Sequence, residues 1–196
     1  MSSIQEVKDY YEERSKYHEK YFLSKNSRTV QLIKFIDMLS ESYPFKSALD
    51  IGCGVGITSE RLRTCAKKVT AIDLAETAIK IAKERNLYGD VEYLAGDFTH
   101  MQLGRKYDLI CLFDVVEHIL PTERDLFLNN VKTHSSGIVA VSVPKGSNTK
   151  RIKENGGSGL QIVDEEIYDE HFKEFEILSK KDTGVYMQYI LKPINI

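Results

Sequence analysis

Apolar residues in this chain follow two rhythms. Through the first forty residues the rhythm is helical. Residues 4–22 are helix-permissive and rich in Tyr, Glu and Lys, with Tyr10, Tyr17 and Tyr21 on one helix face and His18 beside them. Val30, Ile33, Phe35, Ile36 and Leu39 take the spacing of an amphipathic helix over residues 29–40. Asn26 or Ser27 is placed to cap it, and Tyr43-Pro44 ends it, because the residue before a proline is pushed out of the helical region.

From residue 47 the rhythm changes to short apolar runs. Those at 47–51, 68–72, 91–94, 107–113 and 137–143 are rich in β-branched residues, as strands covered on both faces are. Helical stretches separate them at 58–65 and 76–85, the latter with Ile79 and Ala82 inward. Another is capped by Thr122 and runs to about residue 131. Such alternation predicts a parallel sheet with right-handed crossovers. The ending differs. A polar, Gly-rich stretch at 145–159 and a short helix over 164–172 precede two strand-like runs, 175–178 and 185–191, that face each other across a turn. The fold class expected is α/β: a doubly wound sheet of seven strands, mostly parallel with a C-terminal antiparallel hairpin, plus an N-terminal helical extension. The chain reads as a single domain, with residues 1–43 as a helical cap and 44–196 as the core.

Composition narrows the function. A length of 196 residues suits one core. A formal net charge of −2 gives no bulk attraction to nucleic acid or to an anionic membrane. No apolar run approaches the roughly 20 residues of a membrane span. The N-terminal stretch lacks the apolar centre of a signal peptide. Three cysteines, Cys53, Cys65 and Cys111, have no metal-like spacing and read as reduced thiols of a cytoplasmic protein.

The candidate chemistry begins at residues 48–56, ALDIGCGVG. An apolar run ends in Asp50, glycines fall at Gly52, Gly54 and Gly56, and a helix follows. A strand that feeds a helix N-terminus through a glycine turn suits a nucleotide-like ligand. Asp50 is expected at the mouth of the loop, where its charge repels pyrophosphate and suits a cation. An NAD-type fingerprint wants its third glycine at position 57, where Ile57 stands. Further acids end later strands: Asp73, then Asp97 in a Gly-Asp-Phe turn, then Asp114 at the start of residues 114–119, DVVEHI. Ligands of open α/β sheets bind at such strand ends.

In this order and spacing, these features resemble class I S-adenosylmethionine (SAM)-dependent methyltransferases, whose fold is Rossmann-like. The resemblance covers about residues 48–193. It implies SAM as cofactor and S-adenosylhomocysteine as product. SAM would rest on Asp50, Gly52, Cys53, Gly54 and Gly56. Asp73 would take the ribose hydroxyls, Leu74 would lie against adenine, and Asp97 would accept from the adenine amine. Phe98 would cover the ring or offer its backbone N–H to it. Phe113 and Asp114 would lie beside the reacting methyl.

The Asp114, Glu117, His118 group is similar to the E-x-x-E-H of ubiquinone-biosynthesis O-methyltransferases and small-RNA 2′-O-methyltransferases, which hold a divalent metal there. Here Asp114 is a shorter residue than Glu, and His171 matches a fourth ligand only by type. The reading adopted is no metal, with His118 as the candidate general base; a purely positional group with no catalytic residue, and a metal on Asp114, Glu117 and His118, are the alternatives. Tyr11, His18, Tyr21 and Lys145 are the candidate acceptor-binding residues, and the basic 145–159 stretch suits an anionic substrate. The function expected is methyl transfer to an O or N atom of a small metabolite, by a monomer or homodimer with no membrane or nucleic-acid partner. A metal-dependent RNA 2′-O-methyltransferase and a SAM-binding module without its own catalysis are the alternatives.

Overall fold

The computed structural model describes residues 3–22, 27–86, 88–146 and 165–194; the side chains of 16–22, 27 and 165–167 lie outside the description. Two helices come first, α1 (Ile4–Phe22) and α2 (Ser27–Ser42). Strands and helices then alternate: β1 (Phe45–Ile51), α3 (Ile57–Leu62), β2 (Ala66–Asp73), α4 (Glu76–Arg85), β3 (Val91–Ala95) and β4 (Tyr107–Phe113). A 3-10 turn at Val116–His118 leads to α5 (Arg124–His134), β5 (Ser135–Pro144) and α6 (Glu165–His171). The chain ends in β6 (Phe175–Asp182) and β7 (Tyr186–Pro193).

The seven strands form one sheet in the order β3-β2-β1-β4-β5-β7-β6. The first five are parallel, and β7 runs antiparallel to both β5 and β6. The expected seven-stranded α/β architecture is therefore present. Chain order reverses between β1 and β4, and a crevice opens where the connections diverge to opposite faces.

Strand alternation sends side chains to two cores. Leu49, Ile72, Ile110 and Val139 meet Phe127 and Val131 of α5 and Tyr168 of α6 on one face. Ala48, Ala71, Leu109 and Ala140 meet Phe35, Ile36 and Leu39 of α2 and Ile79 and Ala82 of α4 on the other. Small strand residues on this second face let α2 come close.

Most boundaries shift by one to three residues, and three differences matter more. Thr122 is no cap: α5 starts at Arg124, with Glu123 at the N-cap position and no side-chain cap. Helix α3 stops at Leu62, and a turn carries the chain through Cys65. Strand β6 continues to Asp182 because Ser179–Asp182 pair with Met187–Ile190. After Phe175 its residues are exposed, so no apolar pattern marks this edge.

Candidate functional site

The loop after β1 is bound to β2: the N–H groups of Gly52 and Cys53 donate to the Ile72 carbonyl at 2.8 and 3.1 Å. Its glycines serve different purposes. A Cβ on Gly52 would stand 2.5 Å from Val115 Cγ2, and one on Gly56 would stand 2.5 Å from the Tyr93 hydroxyl. Both have positive φ, so packing and backbone each demand glycine. A Cβ on Gly54 would meet nothing within 4 Å, so Gly54 leaves open space. It lines a cavity together with Gly52, Cys53, Asp73, Phe113 and Asp114.

Asp50 is not at the mouth of this cavity. It is buried, and its Oδ2 accepts from Ser59 Oγ at 2.6 Å and Thr58 Oγ1 at 2.9 Å. Burial pushes its carboxyl up to about 6, against the pull of those two hydroxyls. Its place behind the loop follows from β1: the last residues of a buried strand point into the cores. Asp50 therefore fixes the start of α3. Cys53 is buried too, and burial pushes its thiol well up, which keeps it protonated and unreactive.

Asp73 spans the crevice. Its Oδ2 accepts from the Gly54 N–H at 2.7 Å and its Oδ1 from the Ala75 N–H at 2.9 Å. Burial raises its pKa, and these backbone donors oppose the shift. Beyond it lies a second cavity, lined by Leu74, Gly96 and Asp97 and roofed by Ile4, Gln5 and Lys8 of α1. Asp97 Oδ1 accepts from the Thr99 N–H at 2.9 Å. Phe98 points away: it is buried against Phe127 and His134 in the core. Of the two expectations for Phe98, a ring lid does not fit; the backbone N–H remains.

The far end of the first cavity is built from distant segments. Phe113 packs on Phe35. Asp114 has φ +58°, unusual for a non-glycine residue, and its N–H donates to the Ser142 carbonyl at 2.8 Å. Arg28 of α2 donates from Nε to Asp114 Oδ2. The other oxygen, Oδ1, is buried with no hydrogen-bond partner among the described residues, and so is Glu117 Oε2. Glu117 is 1 % exposed. Burial, then the charge of Asp114, raises its carboxyl well above the usual range. Burial also raises Asp114, against the pull of Arg28. The Tyr11 hydroxyl reaches across from α1 to lie 2.9 Å from His118 Nδ1 and 3.0 Å from Nε2. His118 Nε2 is 3.9 Å from Glu117 Oε1.

Tyr11 and His118 thus share one cavity with the loop. The side chains of His18 and Tyr21 lie outside the described residues, as does most of the 145–159 stretch. Lys145 turns to Asp182, with Nζ 2.8 Å from Oδ2. His171 faces Arg124, its Nε2 3.0 Å from the guanidinium Nη1. Among the described residues, Asp97, His100 and Glu123 are the group whose ligand atoms converge within 4.8 Å. Asp114, Glu117 and His118 do not form such a group, and the Arg28 guanidinium already faces Asp114. Arg28 was not singled out from the sequence, and neither were Arg14 and Tyr186, which also line this cavity. No local pattern marks them, since each reaches the site only through tertiary packing.

Residues 48–135 match a family model described as a methyltransferase domain. The chain is 34% identical over 102 residues to the mitochondrial ubiquinone biosynthesis O-methyltransferase of Schizosaccharomyces pombe, covering 50% of this chain and 37% of that protein. It is likewise 34% identical over 91 residues to the ubiquinone biosynthesis O-methyltransferase of Bordetella avium, covering 44% and 38%. The chain therefore spans well under half the length of these curated relatives. In fold it is similar to the N-methyltransferase NodS of Bradyrhizobium japonicum WM9 solved with S-adenosylhomocysteine, with TM-score 0.81, 16% identity, and coverage of 96% of this chain and 99% of that one. The magnesium protoporphyrin IX methyltransferase of Synechocystis PCC 6803 gives TM-score 0.75 at 19% identity, covering 96% and 98%. The fold is that of class I methyltransferases. No helix among the described residues is long and apolar enough to cross a membrane.

Proposed function

We propose, for a chain whose residues 48–135 match a methyltransferase domain and whose fold is that of class I methyltransferases, that it binds SAM and methylates an O or N atom of a small metabolite. The observation that carries this reading is the pair of cavities at the C-terminal edge of β1, β2 and β3, with Asp73 between them. The donor set fits the cofactor. Gly54 leaves an open cradle, and Asp73 offers a carboxylate for vicinal hydroxyls. Leu74 and Asp97 offer an apolar surface and an acceptor for an amino-purine. Arg14 and Arg28 bring positive charge for a carboxylate, while Asp114 Oδ1 is an acceptor in need of a donor.

When bound, SAM supplies a methyl group on a positively charged sulfur, already activated. The protein's part is then orientation more than chemistry. Tyr11 and His118 face the space beyond the loop, where an acceptor would lie. His118 takes the proton that an O–H or N–H acceptor gives up. Glu117 lies beside that imidazole. Free thiols at Cys53, Cys65 and Cys111 support placing the protein in the reducing cytoplasm.

Isothermal titration with SAM, S-adenosylhomocysteine and NAD tests this. Micromolar binding of both adenosyl ligands, absent for NAD and lost in Asp73→Ala, is expected. Binding of NAD alone, or of none, would overturn the reading. An acceptor screen with Mg²⁺ and with chelator then separates the metal-free route from the metal-dependent one.

A further inference from the structure

Helix α1 touches both cavities. Ile4, Gln5 and Lys8 roof the second, and Tyr10, Tyr11 and Arg14 line the first. A ligand that fills both cavities passes beneath this helix. Yet α1 is weakly held by apolar packing. Among its described side chains, Val7 and Ser15 alone are buried, and the neighbour it leans on most is α4.

Polar contacts at the start of α4 hold it instead. The N-cap position of α4 is Ala75, which has no side chain to cap the helix. Glu12 of α1 fills that role from outside: Oε1 accepts from the Glu76 N–H at 2.7 Å and Oε2 from the Thr77 N–H at 2.9 Å. Four N–H groups at a helix start lack helical partners, and the helix dipole favours an anion there. Lys8, one turn earlier, adds a 2.8 Å contact to Glu76. The preceding N–H, that of Ala75, is taken by Asp73, the acid between the two cavities. Asp73 and Glu12 thus divide the open end of one helix between the cleft and its cover. Asp73 feels Glu12, whose charge adds to the burial that raises the Asp73 carboxyl.

We infer that Glu12 is a positioning residue for the cofactor cleft: by capping α4 from α1 it seats Tyr11 and Arg14 over the cavity and makes α1 the gate through which an adenosyl ligand enters and leaves. The inference rests on the SAM-binding reading above. A gate of this kind sets rates more than affinity. Its opening breaks the two Glu12 hydrogen bonds, the Lys8–Glu76 ion pair and the Tyr11–His118 contact, and of the described apolar side chains of α1 it uncovers Val7 alone from a buried position, so it opens without unfolding the core.

Stopped-flow binding of S-adenosylhomocysteine reads this directly. In Glu12→Ala the dissociation rate is expected to rise about tenfold or more. The association rate is expected to rise as well, so Kd moves less than either rate. Glu12→Gln keeps one acceptor oxygen and should fall between. A loss of α4 stability could mimic these effects, so Glu12→Ala is repeated with Ala75→Ser, which returns a cap to α4 without returning the catch. Fast exchange that persists while the melting temperature recovers supports the gate. Exchange that returns to its original rate along with stability overturns it, as do rates that ignore Glu12. An unsubstituted protein that binds no S-adenosylhomocysteine brings down the cofactor reading itself, a distinct result.

Discussion

At the proposed adenosine end of the cleft, every contributing residue of the core lies within four positions of a strand terminus. Gly54 follows β1, Asp73 closes β2 and Leu74 follows it, and Asp97 follows β3. At the proposed acceptor end, the lining comes from α1, α2, the end of β4 and the turn after it, the end of β5 and β7, and it meets only in three dimensions. The first end is made of backbone shape with a few acids. The second is made of side chains that hold one another: Tyr11 on His118, Arg28 on Asp114. Rigid strand ends can be shared by enzymes with one cofactor, while assembled side chains are free to change with the acceptor. The charge balance differs as well. The acceptor end buries two carboxyl oxygens with no hydrogen-bond partner among the described residues, in Asp114 and Glu117, and so calls for hydrogen-bonding groups in whatever binds.

The sharpest way to break this division is Asp73→Ala. It removes the acid that spans the crevice and frees the N–H groups of Gly54 and Ala75. Affinity for S-adenosylhomocysteine is expected to fall about a hundredfold, the size of a lost charged bidentate contact of about 3 kcal/mol. His118→Ala, at the other end, should leave that affinity within about threefold. Equal losses in calorimetry would mean that the two ends do not act separately.

Arg28→Leu tests the acceptor end as a self-supporting unit. Asp114 is left buried with its charge unanswered, which should cost about 2 kcal/mol in urea unfolding. The value is set below that of a fully buried pair because 33% of the Arg28 side chain is exposed. Adding Asp114→Asn removes the stranded charge and should restore most of the loss. No recovery in the double variant would show that Arg28 stabilises by other contacts.

The same division explains what could be read from the chain itself. Glycine spacing and strand-end acids are local signals, so the loop, Asp73 and Asp97 were legible, and so was the sheet that carries them. Phe98 was half legible: the Gly-Asp-Phe turn marked its place, but only packing on Phe127 decided that its ring serves the core. Arg28 pairs with a residue 86 positions away and Glu12 caps a helix 64 positions away, and neither distance leaves a pattern in the sequence. The far half of β6 was silent for a different reason, since an exposed polar edge strand lacks the alternation that announces a strand.

Asp50 sharpens the comparison, because it stands at the end of β1, just before the loop, yet is buried behind it. Its carboxyl sits at about 6 when folded, against 3.8 ordinarily. For an acid raised in this way, the added stability is full below about pH 4 and is lost as pH rises through about 6. Asp50→Asn keeps an acceptor for Thr58 and Ser59 and carries no charge. Relative to the unsubstituted protein it should gain about 2 kcal/mol between pH 4 and pH 7.5 in thermal melts. A difference that stays flat across that range would place the Asp50 carboxylate in a better-solvated setting than its burial indicates.

Lys145 carries the smallest expected effect and the clearest bearing on the acceptor. The sequence suggests a cation for an anionic substrate, while the structure ties its ammonium to Asp182 on the hairpin, outside the lining of the first cavity. An exposed pair of this sort contributes little to stability. Lys145→Met is therefore expected to leave S-adenosylhomocysteine affinity and acceptor turnover within about twofold. A rise in KM for an anionic acceptor, with kcat unchanged, would be uniform binding lost and would mean that Lys145 leaves Asp182 when substrate arrives. The acceptor end would then extend beyond the elements that form it here, to the start of the segment that follows β5. The contrast between a fixed cofactor end and an assembled acceptor end would grow stronger in that case, since one more distant side chain would join the assembled half.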